Sequence, residues 1–126
     1  MNLAAIPSAL EITMEAACDI SLECWRLTRA AALAEGNDSA AIRYSARRIT
    51  EVLKTVGLET IDLTGRKYDA GLAPEVLNVI LDDTVPKDQV LIEETVSPIV
   101  TWCGRIIKPG QIIVKRSPLQ NESKTD

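Results

Sequence analysis

Apolar positions change their spacing near the middle of the chain. Before residue 57 they recur every three or four residues, the period of an α-helix; from residue 59 they recur every second residue, the period of a strand. In the first segment Leu10, Met14, Ala17, Ser21, Cys24, Thr28 and Ala31 form one stripe. Ile20, Leu27 and Ala34 form a second, offset stripe, and Trp25 lies beside the first. The pattern predicts one long helix over 8–35. Pro7 suits its first turn, and Ser8 with Glu11 fits a capping box. Gly36 is a stop signal, and Asn37, Asp38 and Ser39 are N-cap residue types. A second helix is predicted over 39–56. Ile42, Ala46, Ile49, Leu53 and Val56 share one face of it, and Arg43, Arg47, Arg48, Glu51 and Lys54 occupy much of the rest. Gly57 ends this helix, with Leu58 in position for the hydrophobic contact that follows such a cap.

The period-2 half predicts strands at Glu59–Leu63, Glu75–Leu81, Gln89–Val96, Ile99–Trp102, Arg105–Lys108 and Gln111–Lys115. Gly65, Asp69 to Gly71, Pro86, Pro98, Cys103-Gly104 and Pro109-Gly110 punctuate them. Pro74 would also permit a short helix over Val76 to Leu81. The polar end, Ser117 to Asp126, reads as disordered. The fold class expected is α+β, with a helical dimerisation region at 1–57, a small β-rich domain at 58–116 and a disordered tail at 117–126.

The double stripe of the first helix is wider than one partner helix needs. A two-helix hairpin standing alone shares a single face, too little burial to offset the ordering of both helices. A homodimer is therefore expected, its two hairpins forming a four-helix bundle. Leu10, Met14, Ala17, Cys24, Ile42, Ile49 and Leu53 are the residues expected at its interface.

Composition narrows the function. Apolar residues make up 46% of the 126 and aromatic ones 3%, with no Phe, so the core is built from Leu, Ile, Val and Ala. The net charge of −4 argues against a general nucleic-acid partner and against an anionic membrane surface. No run of about 18 apolar residues suggests a membrane span. Met1 to Ile6 lacks the basic start of a signal peptide, so a cytoplasmic protein is expected. The absence of His removes the commonest general base and most zinc sites. Cys18 and Cys24 fall on the apolar stripe and read as packed, reduced thiols. On a helix they stand about 9 Å apart at ~1.5 Å per residue, beyond the ~7 Å reach of a disulfide. Cys103 sits in a tight turn. The pairs Asp82-Asp83 and Glu93-Glu94 put adjacent side chains on opposite faces of a strand, so they read as solvated charge. Gly65 followed by Arg66-Lys67 lacks the rest of a phosphate loop. Arg43, Arg47 and Arg48 read as a solvated helix face paired with Glu51. No catalytic residue, metal or cofactor is expected, and the chain reads as a protein that works by binding another protein.

One stretch is more specific: GLETIDLTGRKYDAGLAPEVLNVILDDTVPKDQVLIEETVSPIVTWCGRIIKPGQIIVKR, from Gly57. It resembles the end of GrpE, the nucleotide-exchange factor of DnaK-type chaperones. The resemblance runs through Gly57, Tyr68-Asp69, Val76 to Asp83, Val85-Pro86, Gly104-Arg105, Ile106-Ile107 and Ile112 to Lys115, and covers roughly 8–116. It implies a helix pair that dimerises as a four-helix bundle, and a β-domain that binds the ATPase domain of a DnaK-type chaperone and promotes ADP release. It implies Arg105 and Val114 as partner contacts; Trp102, an aromatic next to the turn, is added as an anchor on general grounds. Nothing before residue 8 corresponds to the family's long N-terminal paired helix, so a short form is implied. Lys87-Asp88-Gln89 stands where the family has a Gly after its turn proline. Two other readings are an adaptor or scaffold that binds a partner ATPase without exchange activity, and an enzyme of unknown type.

Overall fold

The computed structural model describes residues 8–118. Helix α1 spans Met14–Leu33 and α2 spans Asn37–Thr55. Six strands follow: β1 Leu58–Ile61, β2 Glu75–Leu81, β3 Val90–Ser97, β4 Ile99–Trp102, β5 Arg105–Lys108 and β6 Gln111–Arg116. The fold is α+β, two helices and then two small sheets.

The first helix begins six residues later than its periodicity predicts. Thr13, not Ser8, is the cap, its Oγ1 accepting the Ala16 N–H at 3.0 Å. Residues 8–12 are exposed and not helical. They continue the apolar repeat but have no surface to bury it against, and a helix draws most of its stability from such packing. Pro7 lies outside the described residues. Gly36 links the helices with φ 107, and the residues expected to cap α2 lie inside its first turn. There Ser39 donates from Oγ to the Gly36 carbonyl at 2.7 Å.

The strands follow the predicted punctuation closely. The helical alternative for Val76 to Leu81 is not what forms: β2 is a strand paired parallel to β6. β1 is displaced toward Leu58 and stops at Ile61, because Asp62 turns the chain by accepting the Thr64 N–H at 3.0 Å. Asp69 likewise accepts the Gly71 N–H and starts a single 3-10 turn, Ala70–Leu72. The last strand reaches Arg116, and Ser117, expected in a disordered tail, is buried. The rest of that expected tail, from 119 on, lies outside the described residues.

The first sheet has the order β1-β4-β5 and is antiparallel; the second has the order β2-β6-β3, with β6 central, parallel to β2 and antiparallel to β3. Pro98, fully buried, carries the chain from the second sheet into the first between β3 and β4. Two cores result. Ala17, Cys18 and Leu22 of α1 pack with Leu58 of β1 and Val100 of β4, joined by Leu53 and Ile107. Leu63, Ile92, Ile99, Ile112 and Val114 form the second core, flanked by Ile61, Leu72 and Val90.

The hairpin therefore does not stand alone: one face of it is buried on the first sheet. The premise that the lone hairpin must find its burial in a second copy does not hold. Arg29 ties the same helix to the second sheet. The Arg29 guanidinium lies 5.2 Å from the Trp25 ring centre, a cation–π distance. It donates to the Thr95 carbonyl at 2.9 Å and to Glu94 at 3.1 Å. Burial alone would raise the pKa of nearby Asp62. Hydrogen bonds from Thr64, with smaller ones from Thr95 and Trp25, outweigh it and hold the carboxyl below its ordinary value.

Candidate partner surface at the β4–β5 hairpin

The β4–β5 turn is Trp102-Cys103-Gly104-Arg105, with Trp102 and Arg105 opposite each other in the register. Cys103 has φ 51 and Gly104 φ 82. Positive φ at both central residues is the combination that follows the right-handed twist of a two-residue hairpin. Cys103 is exposed, and Cys18 and Cys24 are buried; all three are free thiols.

This tip is braced against the end of the helical half. Trp102 donates from Nε1 to the Val56 carbonyl at 3.0 Å, satisfying one of the carbonyls left open at the end of α2. Cys103 N–H donates to the Gly57 carbonyl at 2.9 Å. Gly57 has φ 90, and a Cβ there would stand 2.7 Å from Cys103 Sγ. Gly57→Ala is expected to cost about 1–3 kcal/mol from backbone strain, and more from that contact. Gly65, with φ 84 and nothing within 4 Å, is the control. In thermal denaturation Gly57→Ala should lower the midpoint further than Gly65→Ala; equal shifts would mean that the turn does not press on Gly57.

Arg105 opens β5 and is exposed, and among the described residues no carboxylate forms an ion pair with it. Trp102, Ile106 and Val56 are 39%, 45% and 58% exposed. An arginine thus stands on a rigid turn beside partly exposed apolar side chains, a composition typical of interface anchors. Val114 is different. It is 4% exposed and part of the second core, so it is not available to a partner. β6 is the central strand, and alternate residues Ile112 and Val114 face inward.

The residues expected at a dimer interface separate into three groups. Ala17 and Cys24 are buried within the protomer, and Leu53 packs on the first core. Cys24 Sγ lies 3.6 Å from the Ala46 carbonyl and 3.2 Å from Thr50 Oγ1, which fixes how α1 and α2 lie side by side. Met14, Ile42 and Ile49 are exposed on the helices. Leu10 is 88% exposed and precedes α1. Ile20 and Leu27, the second sequence stripe, are exposed too. Ile20 and Leu27 are seven residues apart, as are Ile42, Ile49 and Val56, so each set occupies one line along its helix. Cys18 and Leu22, which meet the sheet, lie on the other side of α1. The exposed apolar line of α1 therefore points away from the first sheet, and α2 carries an exposed apolar line of its own.

An open cleft of about 330 Å³ lies between α1, α2 and β1, lined by Ser21, Cys24, Thr28, Thr50 and Thr60 among others. Among the described residues no three His, Cys, Asp or Glu side chains converge to hold a metal ion, and no helix is long and apolar enough to cross a membrane. No protein-family model matches the chain, and no curated protein matches it.

Proposed function

We propose that the chain is a GrpE-like co-chaperone of the cytoplasm, which dimerises through the outer faces of its hairpins and binds a DnaK-type ATPase domain to promote ADP release. The observation that carries the reading is Arg105: an exposed guanidinium on a braced turn, with no ion-pair partner among the described residues, in the part of the sequence that resembles the family. The exposed line Ile42, Ile49 and Val56 beside Ile20 and Leu27 supports the dimer. Release follows from differential binding: the co-chaperone favours the open state of the ATPase, and a tenfold preference requires about 1.4 kcal/mol. Arg105 supplies a charge-assisted, two-pronged bond to a carboxylate of the partner, and Trp102 and Ile106 supply apolar contact beside it.

The test is release of a fluorescent ADP analogue from the DnaK-type ATPase of the same cell. The protein should accelerate release, and Arg105→Ala should slow that acceleration at least tenfold with the dimer intact. An Arg105→Ala variant as active as the wild type removes Arg105 from the site.

A second reading has an observation of its own. Of the two contacts that the resemblance implies, Val114 is buried, so the apolar part of the contact is not the one expected. This favours an adaptor that binds the ATPase without opening it. Wild-type protein that binds without accelerating release decides for that reading.

A further inference from the structure

The two edges of the second sheet are treated differently. The outer edge of β3 is covered by 65–68. Gly65 N–H donates to the Ile92 carbonyl at 2.9 Å, Ile92 N–H to the Arg66 carbonyl at 2.8 Å, and Tyr68 N–H to the Val90 carbonyl at 2.8 Å. The outer edge of β2 has no such cover: among the described residues β6 is its sole strand neighbour. On the open side the Val79 N–H finds the Oδ1 of Asn78 at 2.9 Å, a short side chain that another strand's carbonyl can replace. All seven residues of β2 are exposed. Val76, Leu77, Val79, Ile80 and Leu81 are each between 38% and 53% exposed. Val76 and Val79 stand beside Ile112 and Val114 and carry the face of the second core out to the rim. Edge strands are ordinarily blunted by Lys, Pro or a covering loop; β2 contains neither residue.

The charge on β2 and the residues flanking it has one sign, while Lys115 and Arg116 of the neighbouring β6 stand on the sheet side, in register with Ile80 and Leu81. From Asp69 to Pro86 the chain has the carboxylates Asp69, Glu75, Asp82 and Asp83 and no Lys or Arg. That is as much negative charge as the whole chain carries net, −4. Glu75 stands at one end of β2, and Asp82 and Asp83 follow the other. Asp82 accepts Thr84 N–H and Oγ1–H at 2.8 and 2.7 Å, which holds it at the strand end.

We infer that the open edge of β2 takes an extended, apolar peptide segment with basic flanks, which adds to the sheet as a fourth strand. Backbone hydrogen bonds along β2 supply register, Leu77, Val79 and Leu81 supply apolar contact, and the carboxylates at both ends select lysine or arginine flanks. A second copy of β2 is the poorer occupant, because two such strands bring their acidic ends into the same region.

The probe is a ten-residue fluorescent peptide alternating Val and Thr between two pairs of lysines, with a glutamate-flanked twin. By fluorescence anisotropy the lysine probe should bind at least tenfold more tightly, with the difference shrinking as salt is raised. Proline at the probe's centre should abolish binding. Leu77→Lys should weaken binding at least tenfold, and Asp83→Lys should narrow the preference between the twins at least threefold. Leu81→Lys, at a side chain 53% exposed, repeats the test if Leu77→Lys fails to fold. Equal affinity for the two probes overturns the inference, as does unchanged binding in the lysine variants. Self-association that Leu77→Lys abolishes, without probe binding, assigns the edge to a second copy and also overturns it.

Discussion

Ile99→Ala is expected to destabilise the protein by about 3 kcal/mol, within the ~2–5 kcal/mol range of buried large-to-small changes. Ile99 is fully buried at the start of β4, directly after the chain crosses from one sheet to the other. It belongs to the first sheet by pairing, opposite Ile61, and to the second core by contact, with Leu63, Ile92, Ile112 and Val114. Gly110 closes over it: a Cβ there would lie 3.1 Å from the Ile99 side chain and 3.1 Å from the Ser97 carbonyl. Neighbours packed this tightly by backbone collapse little into a void, so most of the cavity cost remains. The thermal midpoint should fall by about 10 °C or more. Val96→Ala, at a residue 37% exposed on β3, should fall by far less. Similar losses for the two would mean that Ile99 does not join the sheets.

Ile49→Asp is expected to give a folded monomer. Ile49 is 40% exposed on α2, so the protomer loses little when it is replaced. In the proposed bundle the same position faces the second hairpin, where an unpaired carboxylate costs several kcal/mol, or on the order of a hundredfold or more in the dimer constant. Leu53→Asp behaves differently. Leu53 packs against the first core inside one protomer, so the carboxylate enters that core and unfolds it. Sedimentation with circular dichroism on the same samples separates the two. A wild-type protein that sediments as a folded monomer would remove the bundle from the proposal.

Strand boundaries were legible because rigid punctuation stands between strands: Pro98, Cys103-Gly104 and Pro109-Gly110 bound β4, β5 and β6 at the residues where the structure starts and stops them. The start of α1 was not, since Leu10 continues the periodicity through the exposed residues 8–12. Val114 was offered as a contact by the resemblance, and alternation along its strand gave no check on it. Ile112, Ile113 and Val114 are all branched and apolar, so alternation does not say which face is inward; the central place of β6 decides it. Nothing in the local sequence marks Arg29, because its partners, Glu94 and Thr95, are far along the chain. The turn that carries Arg105 was legible from Cys103-Gly104, but that the turn is tied to the end of α2 was not.

That tie makes the proposed recognition tip a lever without a joint. Trp102 holds Val56 and Cys103 holds Gly57, and the first core binds α1 to β1 and β4 immediately behind them. A binding loop on a flexible neck loses orientational freedom when it docks, and it absorbs a push by bending. Here little freedom is left to lose, and a push at Arg105 has no soft element to be spent on before it reaches the helices. In the proposed complex, force from a closing partner would therefore be delivered to the α-hairpin as a torque on the whole protomer, and the stiffness of the hairpin's own attachment would set how far the partner is held open.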